Sequence, residues 1–233
     1  MAEMPRGLFI VGNDTGVGKT YVAALVARDL VARGVRVGVY KPAASDCQLV
    51  DGELVADDAA VLWDAAGRPA TLERVCPQRF AAPLAPHLAA RAEAREVDAD
   101  LLRSGAARWA GECDVLIVEG AGGLMSPMTD DDYVATLAED IGYPLVVVAR
   151  NALGVINQTL QTLIAAAAWG EGLDVAGIVL NASDPAVDDV SRQSNRQELK
   201  RRAIADVLAE VAWGADRFDC EVDWEALAAE PRE

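Results

Sequence analysis

The residues best able to do chemistry stand in one short run, Gly12-Asn13-Asp14-Thr15-Gly16-Val17-Gly18-Lys19-Thr20. A triphosphate needs several backbone N–H groups converging on its oxygens. Glycine lets a chain curl until those donors face inward beside the positive end of a helix. A run of this kind that follows an apolar strand and opens a helix reads as a phosphate loop. Lys19 is then placed to neutralise β and γ oxygens, and the Thr20 hydroxyl to reach a Mg²⁺ ion bridging the same phosphates. The strict pattern GxxxxGK[ST] is altered: Asn13 occupies the first glycine position and Gly12 stands one residue earlier. Asparagine tolerates left-handed backbone better than most residues. Asn13, Asp14, Gly16, Val17, Gly18, Lys19 and Thr20 are therefore the expected nucleotide contacts, with ATP as cosubstrate.

In open α/β sheets ligands sit beyond the carboxyl ends of strands, so polar residues there are further candidates. Lys41 closes the second expected strand, and Pro42 holds it extended, which aims a second ammonium at the phosphates or an anionic intermediate. Glu119 ends the run VLIVE, where a carboxylate beyond a buried strand can hold Mg²⁺ or a bound water. Gly120-Ala121-Gly122-Gly123 follows as an expected loop, through which backbone can approach a ligand closely. Asp58 is either a magnesium contact or a helix cap. Asn181, at the end of the fifth expected strand, either recognises a base edge through its amide or bonds to its own loop. His87, the only histidine, lies between prolines and leucine and is given no role.

Positioning these groups requires a particular frame. Short β-branched runs alternate with longer helical stretches, which implies parallel strands joined by right-handed crossovers. The expectation is one domain over residues 1–233 with the P-loop NTPase fold, a doubly wound, mainly parallel α/β sheet with helices on both faces. Expected strands are Leu8 to Val11, Val35 to Tyr40, Val115 to Val118, Leu145 to Val148 and Val175 to Leu180, all continuous apolar runs of a sheet buried on both faces. A first helix from Lys19 places Val22, Val26 and Leu30 on one face and stops at Gly34. Asp57 or Asp58 caps a helix ending near Gly67, and Asp98 caps one running toward Trp109. A long helix from about Val190 carries Lys200, Arg201 and Arg202 as a solvated basic stripe, after a polar loop from Ala182 to Asp189. No element is assigned beyond Trp213.

Bulk composition narrows the partners. A formal net charge of −16 repels phosphate backbones and anionic lipid, so neither nucleic acid nor membrane is expected. Leu8 to Val11 is far too brief for a signal-peptide core, and no apolar run reaches the roughly 18 residues that a bilayer span needs. The four cysteines, Cys47, Cys76, Cys113 and Cys220, are scattered with no CxxC pair, which fits reduced thiols in a cytoplasm better than a zinc site.

The ordered set GNDTGVGKT, KPAAS, DDAA, APLAPH, VEGAGG, LGVIN and IVLNAS resembles dethiobiotin synthetase over roughly residues 7 to 181. The resemblance implies ATP-dependent closure of 7,8-diaminopelargonate and CO₂ into a ureido ring, through a carbamate and a carbamic-phosphoric anhydride. It also implies roles. Lys19 and Lys41 would stabilise carbamate and phosphoryl charge, and Thr15 and Ser45 would hydrogen-bond carbamate and phosphates. Thr20, Asp58 and Glu119 would hold magnesium, Gly122 would approach the nucleotide and Asn181 would read adenine. Gly154, Val155 and Asn157, in the run LGVIN, would hold the substrate's distant carboxylate across a homodimer interface. Three positions and one element depart from the family pattern: Asn13 replaces threonine, Asp46 glycine and Gln158 histidine, while Leu208 to Ala212 lacks the glycine and proline of the LGxIP element.

A partner-binding switch ATPase of the ParA or MinD kind is the rival of the same fold. It uses a second loop lysine where Asp14 stands, and a basic or membrane-binding face that the net charge opposes.

Overall fold

The computed structural model describes residues 3–185 and 189–232. The chain opens with β1 (Arg6–Gly12), α1 (Lys19–Ala32), β2 (Val37–Tyr40), β3 (Ala43–Ala44), a small hairpin of β4 (Gln48–Val50) and β5 (Glu53–Val55), then α2 (Asp57–Ala65), α3 (Leu72–Val75), β6 (Gln78–Arg79), α4 (Pro86–Ala92) and α5 (Ala99–Ala107). It continues through β7 (Val115–Gly123), α6 (Val134–Ile141), β8 (Leu145–Arg150), α7 (Val155–Ala168), β9 (Val175–Asn181), α8 (Arg192–Arg202), β10 (Val207–Val211) and α9 (Trp224–Leu227).

Six strands form a fully parallel sheet in the order β10-β9-β8-β1-β7-β2. The chain passes from β1 to the edge strand β2, returns to β7 between them and then crosses to β8 on the other side of β1, so the order reverses at β1 and its carboxyl end faces the crevice where ligands of open α/β sheets lodge. Leu8, Phe9, Ile10 and Val11 are wholly buried, as are Val115 to Val118 and Leu145 to Ala149. That is the burial expected where helices cover both faces. The same apolar runs are legible in the sequence because no strand face is left for polar residues.

α1 begins immediately after the left-handed Gly18 and buries Val22, Val26 and Leu30, and Gly34 follows its end at φ 86°. Several expected bounds shift. β2 starts at Val37 because Val35 N–H still bonds the Leu30 carbonyl at the end of α1. β7 does not stop at Glu119: it runs to Gly123, which pairs with Gly12, so the glycine segment is strand rather than loop. Gly120 there lies against Val134, 2.7 Å from where a Cβ would sit. Neither Asp57 nor Asp58 caps α2, whose N-cap is Ala56 without a side-chain bond; both lie in its first turn. Asp98 does cap α5, accepting from Leu101 N–H at 2.8 Å. α8 begins at Arg192, and its Lys200, Arg201 and Arg202 are solvent-exposed as expected. Of the polar loop expected at 182–189, positions 186–188 lie outside the described residues. No described helix is long and apolar enough to cross a membrane.

Candidate active site

The loop between β1 and α1 is held by three local constraints. Gly16 and Gly18 adopt φ of 71° and 88°, a region that glycine occupies without steric cost. Asn13 N–H donates to the Val148 carbonyl at 3.0 Å, and Asn13 Nδ2 to Thr159 Oγ1 of α7 at 3.2 Å, so this residue ties the loop to its neighbours. Asp14 accepts from Thr15 N–H at 2.7 Å and from Gln158 Nε2 at 3.2 Å. Gln158, a departure from the family pattern, thus braces the phosphate loop against α7.

Below the loop a cavity of about 440 Å³ is lined by Thr15, Gly16, Gly18, Lys19, Thr20, Lys41, Ser45, Asp58 and Gly122 among others. Residues far apart in sequence, from Thr15 to Gly122, meet here because β1 and β2 both flank β7. Lys41 is 4% exposed; its Nζ lies 2.5 Å from Glu119 Oε1 and 2.8 Å from Asp58 Oδ2. Thr20 Oγ1 donates to the same Glu119 oxygen at 2.8 Å. Glu119 is completely buried, and its Oε2 has no hydrogen-bond partner. Burial pulls the Lys41 pKa down, but Glu119 and Asp58 outweigh it and hold the ammonium above the ordinary lysine value. Burial is likewise the largest influence on Lys19, and there it prevails, holding that pKa below the ordinary value despite Glu119. Asp58 resists burial's upward pull because Lys41 stabilises the carboxylate, which lowers its pKa. Thr20, Glu119 and Asp58 form a hard-oxygen donor set with one orphaned buried oxygen, so they suit a magnesium ion that receives its remaining ligands from phosphate and water. No group of three or more histidine, cysteine or acidic side chains is arranged to hold a metal ion by itself among the described residues.

Asn181 settles neither on its own loop nor in solvent. It is buried, and its Nδ2 donates to the Val17 carbonyl at 2.8 Å. A second, mostly apolar cavity of about 260 Å³ adjoins the first through Gly16, Gly18 and Tyr21, and is completed by Asn181, Ala182, Ser183, Trp213 and Gly214. Tyr21 and Trp213 escaped the reading of the sequence; an aromatic in the first turn of α1 and another after β10 carry no motif. Val155 is buried at the start of α7, whereas Gly154, at φ 100°, and Asn157 are exposed. These three line neither cavity. A larger hollow of about 660 Å³ lies elsewhere, between His87, Arg91 and Asp130 to Asp132, but Arg91 and Asp130 neutralise each other and no glycine cradle lies beside them.

Comparison with known proteins agrees with this geometry. The AAA domain family profile matches residues 6–216. The ATP-dependent dethiobiotin synthetase BioD of Rhodopirellula baltica is 42% identical over 214 residues, covering 87% of this chain and 82% of the relative. That of Anaeromyxobacter dehalogenans is 44% identical over 211 residues, covering 91% and 92%. The chain belongs to the dethiobiotin synthetase family. Among solved structures, chloroplast FtsY from Physcomitrella patens superposes with a TM-score of 0.58 at 17% identity, covering 96% of this chain; the chain spans 64% of that protein's length. The MinC:MinD complex of Aquifex aeolicus gives 0.52 at 13% identity. These two likenesses show a shared P-loop fold only. Membership of the dethiobiotin synthetase family, with Asp14 at the loop position where a switch ATPase has lysine, leaves the partner-binding ATPase reading without support.

Proposed function

We propose that this chain joins CO₂ to 7,8-diaminopelargonate and closes the ring to dethiobiotin at the expense of ATP, a step of biotin synthesis. The observation that carries this reading is the convergence of Lys19, Lys41 and Thr20 on one cavity beneath a glycine loop, with buried Glu119 bonded to both Thr20 and Lys41, in a dethiobiotin synthetase family chain. Such a site supplies donors and positive charge but no serine or cysteine nucleophile. A carbamate needs none, because its own oxygen attacks the γ-phosphorus.

One amine of the diamine takes up CO₂ and loses a proton to give the carbamate. Thr15 and Ser45, which both line the cavity, offer hydroxyls to orient it. The carbamate oxygen then bonds to the γ-phosphorus as the bond to ADP breaks. Backbone N–H groups of the loop and the Lys19 ammonium balance charge on the triphosphate, and Lys41 balances it on the acceptor side. Finally the second amine attacks the carbonyl carbon, phosphate departs with the bonding electrons, and the ring nitrogen gives up its proton. When bound through Thr20, Asp58 and Glu119, magnesium supplies further charge neutralisation on the phosphates. The 260 Å³ cavity beside Asn181 takes the adenine. The substrate's far carboxylate rests on the start of α7 at Gly154, Val155 and Asn157 of a second copy, which makes the working unit a homodimer. Reduced cysteines suit a cytoplasmic setting.

Purified protein given ATP, Mg²⁺, bicarbonate and 7,8-diaminopelargonate should form dethiobiotin and ADP in equal amounts, and omitting bicarbonate should stop both. ADP release indifferent to the diamine would refute the assignment. Lys19→Ala should lower turnover by about 10² to 10³, the loss typical when one transition-state charge donor is removed; retention of near-normal turnover would take Lys19 out of the scheme.

A further inference from the structure

Three oxygen-bearing side chains at the foot of the phosphate loop are organised around a single nitrogen. Lys41 Nζ contacts Glu119 Oε1 and Asp58 Oδ2, and Thr20 Oγ1 bonds the very Glu119 oxygen that Lys41 holds. Two members of the donor set fit for a divalent cation, Glu119 and Asp58, hold the ammonium, and the third, Thr20, bonds the Glu119 oxygen that does so. A second cation bound directly to these same oxygens is disfavoured, since like charges within about 4–6 Å repel. Lysine is suited to leave: its charge is compact and sits on a flexible four-carbon stem. The residue also lines the phosphate cavity together with Ser45 and Gly122, so rotation of its stem carries Nζ toward bound phosphate without moving β2.

We infer that Lys41 and a divalent cation exchange at Thr20, Asp58 and Glu119, the ammonium holding these ligands in the nucleotide-free protein and turning to the phosphates when metal and nucleotide arrive together. The inference deepens the proposed function, resting on its metal–nucleotide site and not on the identity of the amine substrate. Metal loading and the arming of the second lysine become one event. Without nucleotide, no anion rewards the displaced ammonium, so free metal binds poorly; with nucleotide, the phosphates receive it. The exchange therefore also disfavours nucleotide bound without metal, because Lys41 then stays with its carboxylates.

Two measurements test this. In nucleotide-free protein, Mn²⁺ binding followed by electron paramagnetic resonance should be at least tenfold tighter in Lys41→Gln than in wild type. Adding Glu119→Gln to that variant should remove the gain. Equal or weaker binding by Lys41→Gln overturns the exchange, and so does a gain that survives loss of Glu119. Should Lys41→Gln fail to fold, the wild type decides. Its only lysines are Lys19, Lys41 and Lys200, so ¹⁵N-lysine labelling gives three ammonium groups to follow by nuclear magnetic resonance. The Lys41 signal should shift on adding Mg²⁺ with ADP and hold its position when ADP is added with a chelator. A signal unmoved by Mg²⁺ and ADP, or moved equally without metal, overturns the proposal. Dethiobiotin formation is read in a separate assay, so either idea can fail without the other.

Discussion

Of 21 lysines and arginines only three are lysine, and two of these, Lys19 and Lys41, are buried at the phosphate loop. Surface pairs such as Arg36–Asp114 and Arg103–Asp132 use arginine instead. The division follows from shape. A guanidinium is a planar fork suited to carboxylates at a surface, while an ammonium is a point charge that fits a small space between carboxylate and phosphoryl oxygens. Gly18 shows a second kind of selectivity. It holds φ 88°, and a Cβ there would lie 2.2 Å from Asn181 Nδ2, the group that ties β9 to the Val17 carbonyl. Gly18→Ala should therefore cost about 1–2 kcal/mol in backbone strain alone and push Asn181 aside. Calorimetry should find ADP binding weakened at least about tenfold, the equivalent of 1.4 kcal/mol. Unchanged ADP affinity would mean that the loop tolerates a side chain and that Asn181 does not fix its shape.

Elements rather than residues explain how the loop reaches its partners. β2 delivers Lys41, and the chain then makes β3, which pairs with β6, before a left-handed Asp46 at φ 59° turns it into the β4–β5 hairpin. Asp46 occupies the glycine position of the family pattern, and the structure shows why glycine would suit. Its side chain is among those that tolerate φ > 0, whereas a β-branched residue is an outlier there. Asp46→Gly should alter unfolding free energy by less than about 0.5 kcal/mol, strain relief offsetting lost chain entropy. Asp46→Val should destabilise by more than about 1 kcal/mol. Urea unfolding of the two variants separates them; equal stabilities would remove backbone conformation as the constraint. The five core strands, the phosphate loop and Lys41 just beyond β2 could be read from sequence because buried parallel strands are written as apolar runs; Glu119 stands out as the first polar residue after such a run, although β7 continues past it to Gly123. β10 could not: it is an edge strand whose Val207, Ala209 and Val211 are buried in alternation, too short a pattern to stand out. Nor could the Lys41–Glu119–Asp58 cluster, since pairing across 78 residues depends on β2 and β7 lying side by side.

At the scale of the whole molecule, the segment after Trp213 becomes intelligible as a strap. Gly7 and Ala229 exchange backbone hydrogen bonds at 2.8 and 3.2 Å, Arg33 Nη2 donates to the Val222 carbonyl at 3.2 Å, and Arg232 N–H reaches the Gly142 carbonyl. Between these points Trp224 is buried to 1% exposure against Phe218, yet its Nε1 has no partner. Trp224→Ala should cost about 3–5 kcal/mol, as for large buried aromatics, and Trp224→Phe markedly less, since it also removes an unpaired donor. Similar losses in both would show that ring size is not what the strap contributes. The cysteines report how tightly the rest of the molecule is closed. All four are free, and Cys47, Cys76 and Cys113 are buried while Cys220 is exposed. Burial raises the Cys76 thiol to about 12 and the Cys113 thiol to about 11. A group whose pKa is raised by folding keeps its proton in the native state. Its contribution to stability is thus intact below the ordinary thiol value of 9.0 and declines as pH climbs toward the native value. Thiolate is the reactive form, so a disulfide reagent at pH 8 should label one thiol rapidly in the native protein and four in denaturant. The other three should stay unlabelled until unfolding releases them. Rapid native labelling of two or more thiols would show that the core around Cys47, Cys76 and Cys113 opens far more readily than their burial implies.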